Sequence, residues 1–312
     1  MDLLTVTNIT KKYGADFLLN DISFVQRPLQ NIAIAGETGS GKTTLMQIIG
    51  GLGQADGGVV LFEGRQVKGL TEKLMPGHPG IAYLSQHFEL PKKYRVAELL
   101  AYANKLADKA SAELYAICRI DHLLHRWSHT LSGGEKQRIA LAKLLTESPR
   151  LLLLDEPYSN MDLIHKQVLK AVVDDVHDRL GVTCMLISHD AEDILPWADE
   201  ILVMQHGNII QRDSPLNIYR HPITEYTAGL FGKYNLLSPT LSGLLETNRQ
   251  YIRPEELALT MPANGIPVTI QKILFMGSHY ELQVAYNSEM LTVACQHCDL
   301  KTGDSVTLSV TV

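Results

Sequence analysis

A run of small and flexible residues, Gly36, Glu37, Thr38, Gly39, Ser40 and Gly41, leads into Lys42, Thr43 and Thr44. Gly36, Gly41, Lys42 and Thr43 fill the four fixed positions of a phosphate-binding loop. Such a loop turns backbone N–H groups onto phosphate oxygens, an approach that Cβ atoms would obstruct. A helix starting behind it adds unpaired donors and a partial positive charge. Lys42 has the reach for β- and γ-phosphates, and the Thr43 hydroxyl is a ligand for Mg2+. Far along the chain, Asp155 and Glu156 stand side by side. Asp155 is suited to holding Mg2+ together with Thr43, and Glu156 to polarising a water for attack on a γ-phosphate. Gln86 and His189 are two more polar residues that each follow an apolar run.

These side chains need elements that bring them to one place. The loop follows "IAIA" and precedes Leu45, Ile48, Ile49 and Leu52, which recur at helical spacing. That predicts a strand, a loop and a helix start. "LLLL", residues 151 to 154, is apolar without alternation, as a parallel strand covered on both faces should be, and it ends at Asp155. "VTCMLIS" ends at His189, and "IAYLS" ends at Gln86. Four predicted core strands of an α/β sheet thus deliver a glycine loop, an acid pair, a His and a Gln to one edge. In open α/β sheets, ligands bind at that edge.

A second segment, "LSGGEKQRIALAKLL", runs from Leu131 to Leu145. Ser132 and Glu135 form a capping box, so a helix is expected to begin at the serine. Its apolar face runs through Ile139, Ala142 and Leu145, and Pro149 marks where it has ended. Gly133 and Gly134 leave backbone donors bare at this second helix N-terminus, which makes it a second candidate anion site.

In these motifs the chain resembles the ATP-binding subunits of ATP-binding cassette (ABC) transporters. "GETGSGKT" resembles their Walker A, "LSGGEKQR" their signature motif and "LLLLDEP" their Walker B. "SNMD", residues 159 to 162, resembles the D-loop, and "SHD" the switch-histidine loop. Gln86 falls at the Q-loop, and Tyr13 in "KKYG" at the adenine-stacking position. All seven occur in family order between residues 13 and 189. The resemblance implies a P-loop ATPase fold binding ATP and Mg2+, with residues 36 to 44 around the phosphates. Thr43, Gln86 and Asp155 would surround the metal, and Glu156, His189 and Gln86 would carry hydrolysis. It also implies a homodimer that sandwiches two ATP molecules head to tail. Ser132, Gly133, Gly134 and Asp162 would then serve the ATP bound by the other subunit, and Gln86 would relay the state of the site to a membrane permease.

The chain has 312 residues, enough for two domains. Residues 1–234 are expected to form the nucleotide-binding domain, with a small helical subdomain at about 87–130 carrying "VAELLAYANKLA" and "AELYAICRI". The histidines there, His87, His122, His125 and His129, read as surface residues. From residue 235 the texture turns β-branched and partly alternating, with breaks at Met276-Gly277, Asn287-Ser288 and Thr302-Gly303-Asp304, which predicts a small all-β unit. "YIRPEEL" and the "MGSHYELQV" hairpin resemble the OB-like TOBE-type domain of bacterial import ATPases. That resemblance implies import, with ferric iron, a polyamine or an inorganic anion as cargo and in some systems a separate substrate-binding protein.

Net charge is −6, which argues against a nucleic-acid partner. No apolar run is long enough for a transmembrane helix, and the N-terminus lacks the pattern of a signal peptide. The expected location is therefore cytoplasmic, peripheral on the inner face of the cell membrane through the permease. Cys295 and Cys298 have CxxC spacing but no second pair, and are read as plain thiols. Two other functions share the motifs: a soluble ABC ATPase acting on DNA or ribosomes, and a non-hydrolysing ATP switch. The short span from Lys42 to Leu131 leaves no room for a long coiled coil, against the first. Glu156 and His189 argue against the second.

Overall fold

The computed structural model describes residues 2–14, 16–86, 90–260 and 265–311. The chain divides into two compact units, residues 1–215 and 216–312.

In the first unit the strands are β1 (Leu4–Tyr13), β2 (Asp16–Gln26), β3 (Ile32–Ala35), β4 (Gly57–Phe62), β5 (Arg65–Gln66), β6 (Ile81–Leu84), β7 (Leu151–Asp155), β8 (Thr183–Ile187), β9 (Glu200–Gln205) and β10 (Asn208–Asp213). The helices are α1 (Lys42–Ile49), α2 (Val96–Ala103), α3 (Asp108–Ile117), α4 (Gly133–Leu145), α5 (Leu163–Leu180) and α6 (Ala191–Ile194). One sheet is antiparallel, in the order β2-β1-β4-β5. The other has the order β10-β9-β3-β8-β7-β6 and is parallel except for β10. The four strands expected from the sequence are β3, β8, β7 and β6. They lie side by side and parallel, so their C-terminal ends share one edge.

β7 and β8 at the centre of this sheet are covered on both faces. Leu152 and Leu154 of β7, with Cys184 and Leu186 of β8, face a cluster that includes Ile139 and Ala142 of α4 and Val172 of α5. Leu151 and Leu153, with Met185 and Ile187, face the opposite cluster with Leu45 and Ile49 of α1. This explains the unbroken "LLLL": alternate residues serve different cores, and neither face meets water. Burial also pushes the Cys118 and Cys184 thiols up to about 12, so both stay protonated. Between Pro91 and Thr130, α2, α3 and two short 3-10 turns pack Leu100, Leu114 and Leu123 onto the α4–α5 core. His122, His125 and His129 are exposed there, while His87 lies outside the described residues.

The second unit begins with α7 (Pro215–Arg220) and α8 (Glu225–Leu230). After β11 (Asn235–Leu236), α9 (Pro239–Leu244) and β12 (Tyr251–Ile252) come β13 (Leu257–Thr260), β14 (Ile266–Phe275), β15 (Tyr280–Tyr286), β16 (Glu289–Cys295) and β17 (Ser305–Val310). The last five form an antiparallel sheet in the order β13-β17-β14-β15-β16. α8, and α7 beyond Pro215, thus fall in the second unit, upstream of the boundary expected at 234/235. The physical reason is Arg253, which is 1% exposed. Its Nε donates to the Tyr219 carbonyl at 2.9 Å, and its Nη1 to those of Ala228, Gly232 and Lys233 at 2.9, 3.1 and 3.0 Å. The guanidinium also lies 4.2 Å from the centre of the Tyr219 ring.

Candidate functional site

β3 ends at Ala35 and the chain turns at Gly36, where φ is 153°. A Cβ at Gly36 would lie 2.3 Å from the Met204 carbonyl oxygen, so no side chain fits. Gly41 is the N-cap of α1, and no side chain takes the first N–H groups of that helix. Lys42 folds over the loop. Its Nζ donates to the carbonyls of Gly36 and Glu37, both at 2.7 Å, and to Ser40 Oγ at 3.3 Å. Burial pushes its pKa down, and the charges of Glu156, Asp155 and Glu37 oppose that shift. Glu37, Thr38, Gly39 and Thr43 are exposed around this cation, and Ser40 is buried.

Asp155 closes β7 and is 3% exposed. Thr43 Oγ1 donates to its Oδ1 at 3.2 Å, and the Tyr83 hydroxyl donates to its Oδ2 at 2.7 Å. Burial, then the bond to Asp155 and its charge, raise the Tyr83 pKa, so the phenol keeps its proton and stays the donor. Glu156 follows at φ 47°, a left-handed conformation that is uncommon for a non-glycine residue. The Glu156 N–H donates to the Ile187 carbonyl at 3.0 Å, and the Ser159 hydroxyl donates to the Glu156 carbonyl at 2.8 Å, which holds the bend. Gln86 Nε2 donates to Glu156 Oε2 at 3.2 Å, and His189 Nδ1 lies 3.5 Å from the same oxygen. The ends of three neighbouring strands thus converge on one carboxylate.

The His189 loop is anchored from behind by residues that the sequence reading passed over. Lys166 pairs with Asp190, and both Lys166 and Lys170 lie 2.7 Å from the buried Asp193. Ser188 Oγ donates to Asp193 at 3.0 Å. The two lysines sit one turn apart on α5, a spacing that marks a shared face. Tyr83 was passed over as well, although it stands in the strand that delivers Gln86.

The signature segment is built as a cap. Glu135 N–H donates to Ser132 Oγ at 3.3 Å, Ser132 N–H donates to Glu135 at 2.8 Å, and Arg126 pairs with Glu135 at 2.9 Å. Gln137 donates to the Pro157 carbonyl, which ties α4 to the loop after Glu156. Asp162 caps α5: it accepts from the His165 N–H at 2.9 Å, and His165 Nδ1 lies 2.6 Å from its other oxygen. The first of these bonds does most to hold the Asp162 carboxyl below its usual pKa. The His165 ring packs on Gly134, where a Cβ would come within 3.1 Å of it. Ser132, Gly133 and Asp162 face solvent, and Tyr13 is 84% exposed. Gln86, Glu156, His189, Lys42, Thr43 and Asp155 are brought to one edge; Tyr13, Ser132, Gly133, Gly134 and Asp162 are not grouped with them.

The ABC transporter domain pattern matches residues 19–159, and the TOBE domain pattern matches residues 251–312. The sulfate/thiosulfate import ATP-binding protein CysA of Burkholderia pseudomallei is 30% identical, over 91% of this chain and 89% of its own. Its namesake in Neisseria meningitidis serogroup A is 35% identical, over 92% and 88%. The chain belongs to the ATP-binding subunits of ABC transporters. It is an ABC ATPase that couples ATP hydrolysis to transport. Solved folds agree. An ATP-binding cassette of an ABC transporter in its ADP conformation superposes with TM-score 0.62 at 22% identity, over 74% of this chain and 98% of its own. cbiO1 from Clostridium perfringens, part of the cbiONQ complex, gives 0.62 at 25% identity, over 70% and 90%. Among the described residues, no helix of this ABC ATPase is long and apolar enough to cross a membrane.

Proposed function

We propose that this ABC ATPase powers import of an inorganic anion of the sulfate and thiosulfate class, working as a homodimer beneath integral membrane permease subunits. The observation that carries the ATPase chemistry is the meeting of Gln86, Glu156 and His189 beside the Thr43–Asp155 pair. The names of the relatives support the anion. Lys42 and the amides of residues 36 to 44 hold the phosphates, and Tyr13 stacks on adenine. Thr43, Asp155 and Gln86 form a hard oxygen set that fits Mg2+, which when bound offsets charge on the β- and γ-phosphates. Glu156 takes a proton from the attacking water, and His189 orients the reacting group. Ser132, Gly133, Gly134 and Asp162 act on the ATP held by the second subunit, which fits their exposure away from Lys42. The protein sits at the inner face of the cell membrane through its permease, and a separate substrate-binding protein delivers the anion to the permease from the outer side.

A tagged chain purified from detergent-solubilised native membranes should bring stoichiometric integral membrane protein with it. The complex in vesicles should then take up radiolabelled sulfate or thiosulfate only with ATP. Ribosomal or DNA-bound proteins in place of a permease would overturn the transport reading. Uptake of ferric iron or a polyamine instead would overturn the anion.

A further inference from the structure

Asp155 has one soft torsion, and a carboxylate rotates broadly about it unless something pins it. Two donors do so here, one on each oxygen: Thr43 on Oδ1 and Tyr83 on Oδ2. The second follows from the sheet. β6 and β7 are parallel neighbours, and Tyr83 lies opposite Leu153. Asp155 is two residues beyond Leu153, so it points to the same face, about 7 Å along the strand. Tyr83 and Leu153 pack in the same cluster as α1, which carries Thr43. Asp155 is therefore held between one helix and one neighbouring strand.

We propose that Tyr83 is a positioning residue for the metal-binding carboxylate. Its hydroxyl occupies Oδ2 and keeps Oδ1 turned towards Thr43, the residue that would hold a divalent cation together with it. The inference rests on the ATPase reading and adds a residue to it. A phenylalanine there fills the same space and can donate nothing to Asp155.

The test is binding of Mn2+, read by electron paramagnetic resonance with a non-hydrolysable ATP analogue present, for the full chain and its Tyr83→Phe variant. The Mn2+ dissociation constant should rise about tenfold, as for loss of a partner that orients a metal ligand. Affinity for the analogue in EDTA should not change, and neither should the melting temperature measured without metal. Unchanged or tighter Mn2+ binding by the variant overturns the proposal while leaving the ATPase reading intact. A fall in metal-free nucleotide affinity of the same size also overturns it, because Tyr83 would then merely support the loop. A wild-type chain that binds Mn2+ no better with nucleotide than without sinks proposal and reading together.

Discussion

α1 and α4 both begin at glycine-rich sequence, and they begin in opposite ways. α1 starts behind Gly41 with no capping side chain and no acid in its first turn, so its N–H groups stay open beside Lys42. α4 starts behind Ser132 with both halves of a capping box made and Arg126 on the acid. A helix end that supplies its own acceptors has fewer donors left for a ligand. The Lys42 end therefore keeps its donors open within one chain, as the proposed phosphate-holding role requires. At the Ser132 end the N–H groups of Ser132 and Glu135 are taken by the box, those of Gly133 and Gly134 are not part of it, and the end stands at the surface, as the proposed role towards a second subunit's ATP requires.

The sharpest separation of holding from chemistry is Glu156→Gln. Turnover should fall about 10² to 10⁴-fold, the range for loss of a general base, while ATP stays bound at the Lys42 end. Phosphate release and nucleotide binding measured on one preparation check it, and normal hydrolysis would remove Glu156 from that role. Ser132→Arg should cut hydrolysis about a hundredfold, as for loss of transition-state contacts, and leave ATP affinity of the monomer unchanged. A variant that still turns over normally would mean that the Ser132 end takes no part in the site. Lys42→Ala should weaken ATP binding about tenfold to a hundredfold by titration calorimetry, through loss of charged hydrogen bonds to phosphate. If affinity held, the contrast between the two helix ends would collapse.

The smallest effect belongs to Glu135→Ala, which undoes the capping box and should cost about 1 kcal/mol in denaturant unfolding. Burial works against the Glu135 charge, but the Ser132 N–H and Arg126 outweigh it and hold its pKa below the usual carboxylate value. The folded-state pKa is thus depressed, so the contribution is present above the ordinary carboxylate pKa and fades as pH falls through the lower folded value. The gap between variant and wild type should close in acid; a gap that persisted there would assign the cost to packing.

Local pattern made the Lys42 loop, the "LLLL" strand and the Ser132 box legible, because each is set by residues within one short window. Adjacency of the strands was less open to view. That Gln86 and His189 end beside Glu156 depends on the order β3-β8-β7-β6, which long-range pairing decides. Tyr83 shows the limit: its place on β6 was read, but its partner lies on a neighbouring strand whose register no local window contains. Lys166 and Lys170 carried the spacing of a shared face without showing that the face meets Asp190 and Asp193. The division after Pro215 was out of view for the same reason, since Arg253, which bonds the carbonyls of Tyr219 and Ala228, comes after both helices.

Arg253 therefore bears on the order in which the chain can set during synthesis. Residues 1–215 form a compact unit and leave the ribosome first. Residues 216 to 234 follow, and the carbonyls of Tyr219, Ala228, Gly232 and Lys233 must wait, bonded to water, until the guanidinium emerges behind them. A chain released early at residue 234 would carry α7 and α8 without the guanidinium that bonds the carbonyls at their ends.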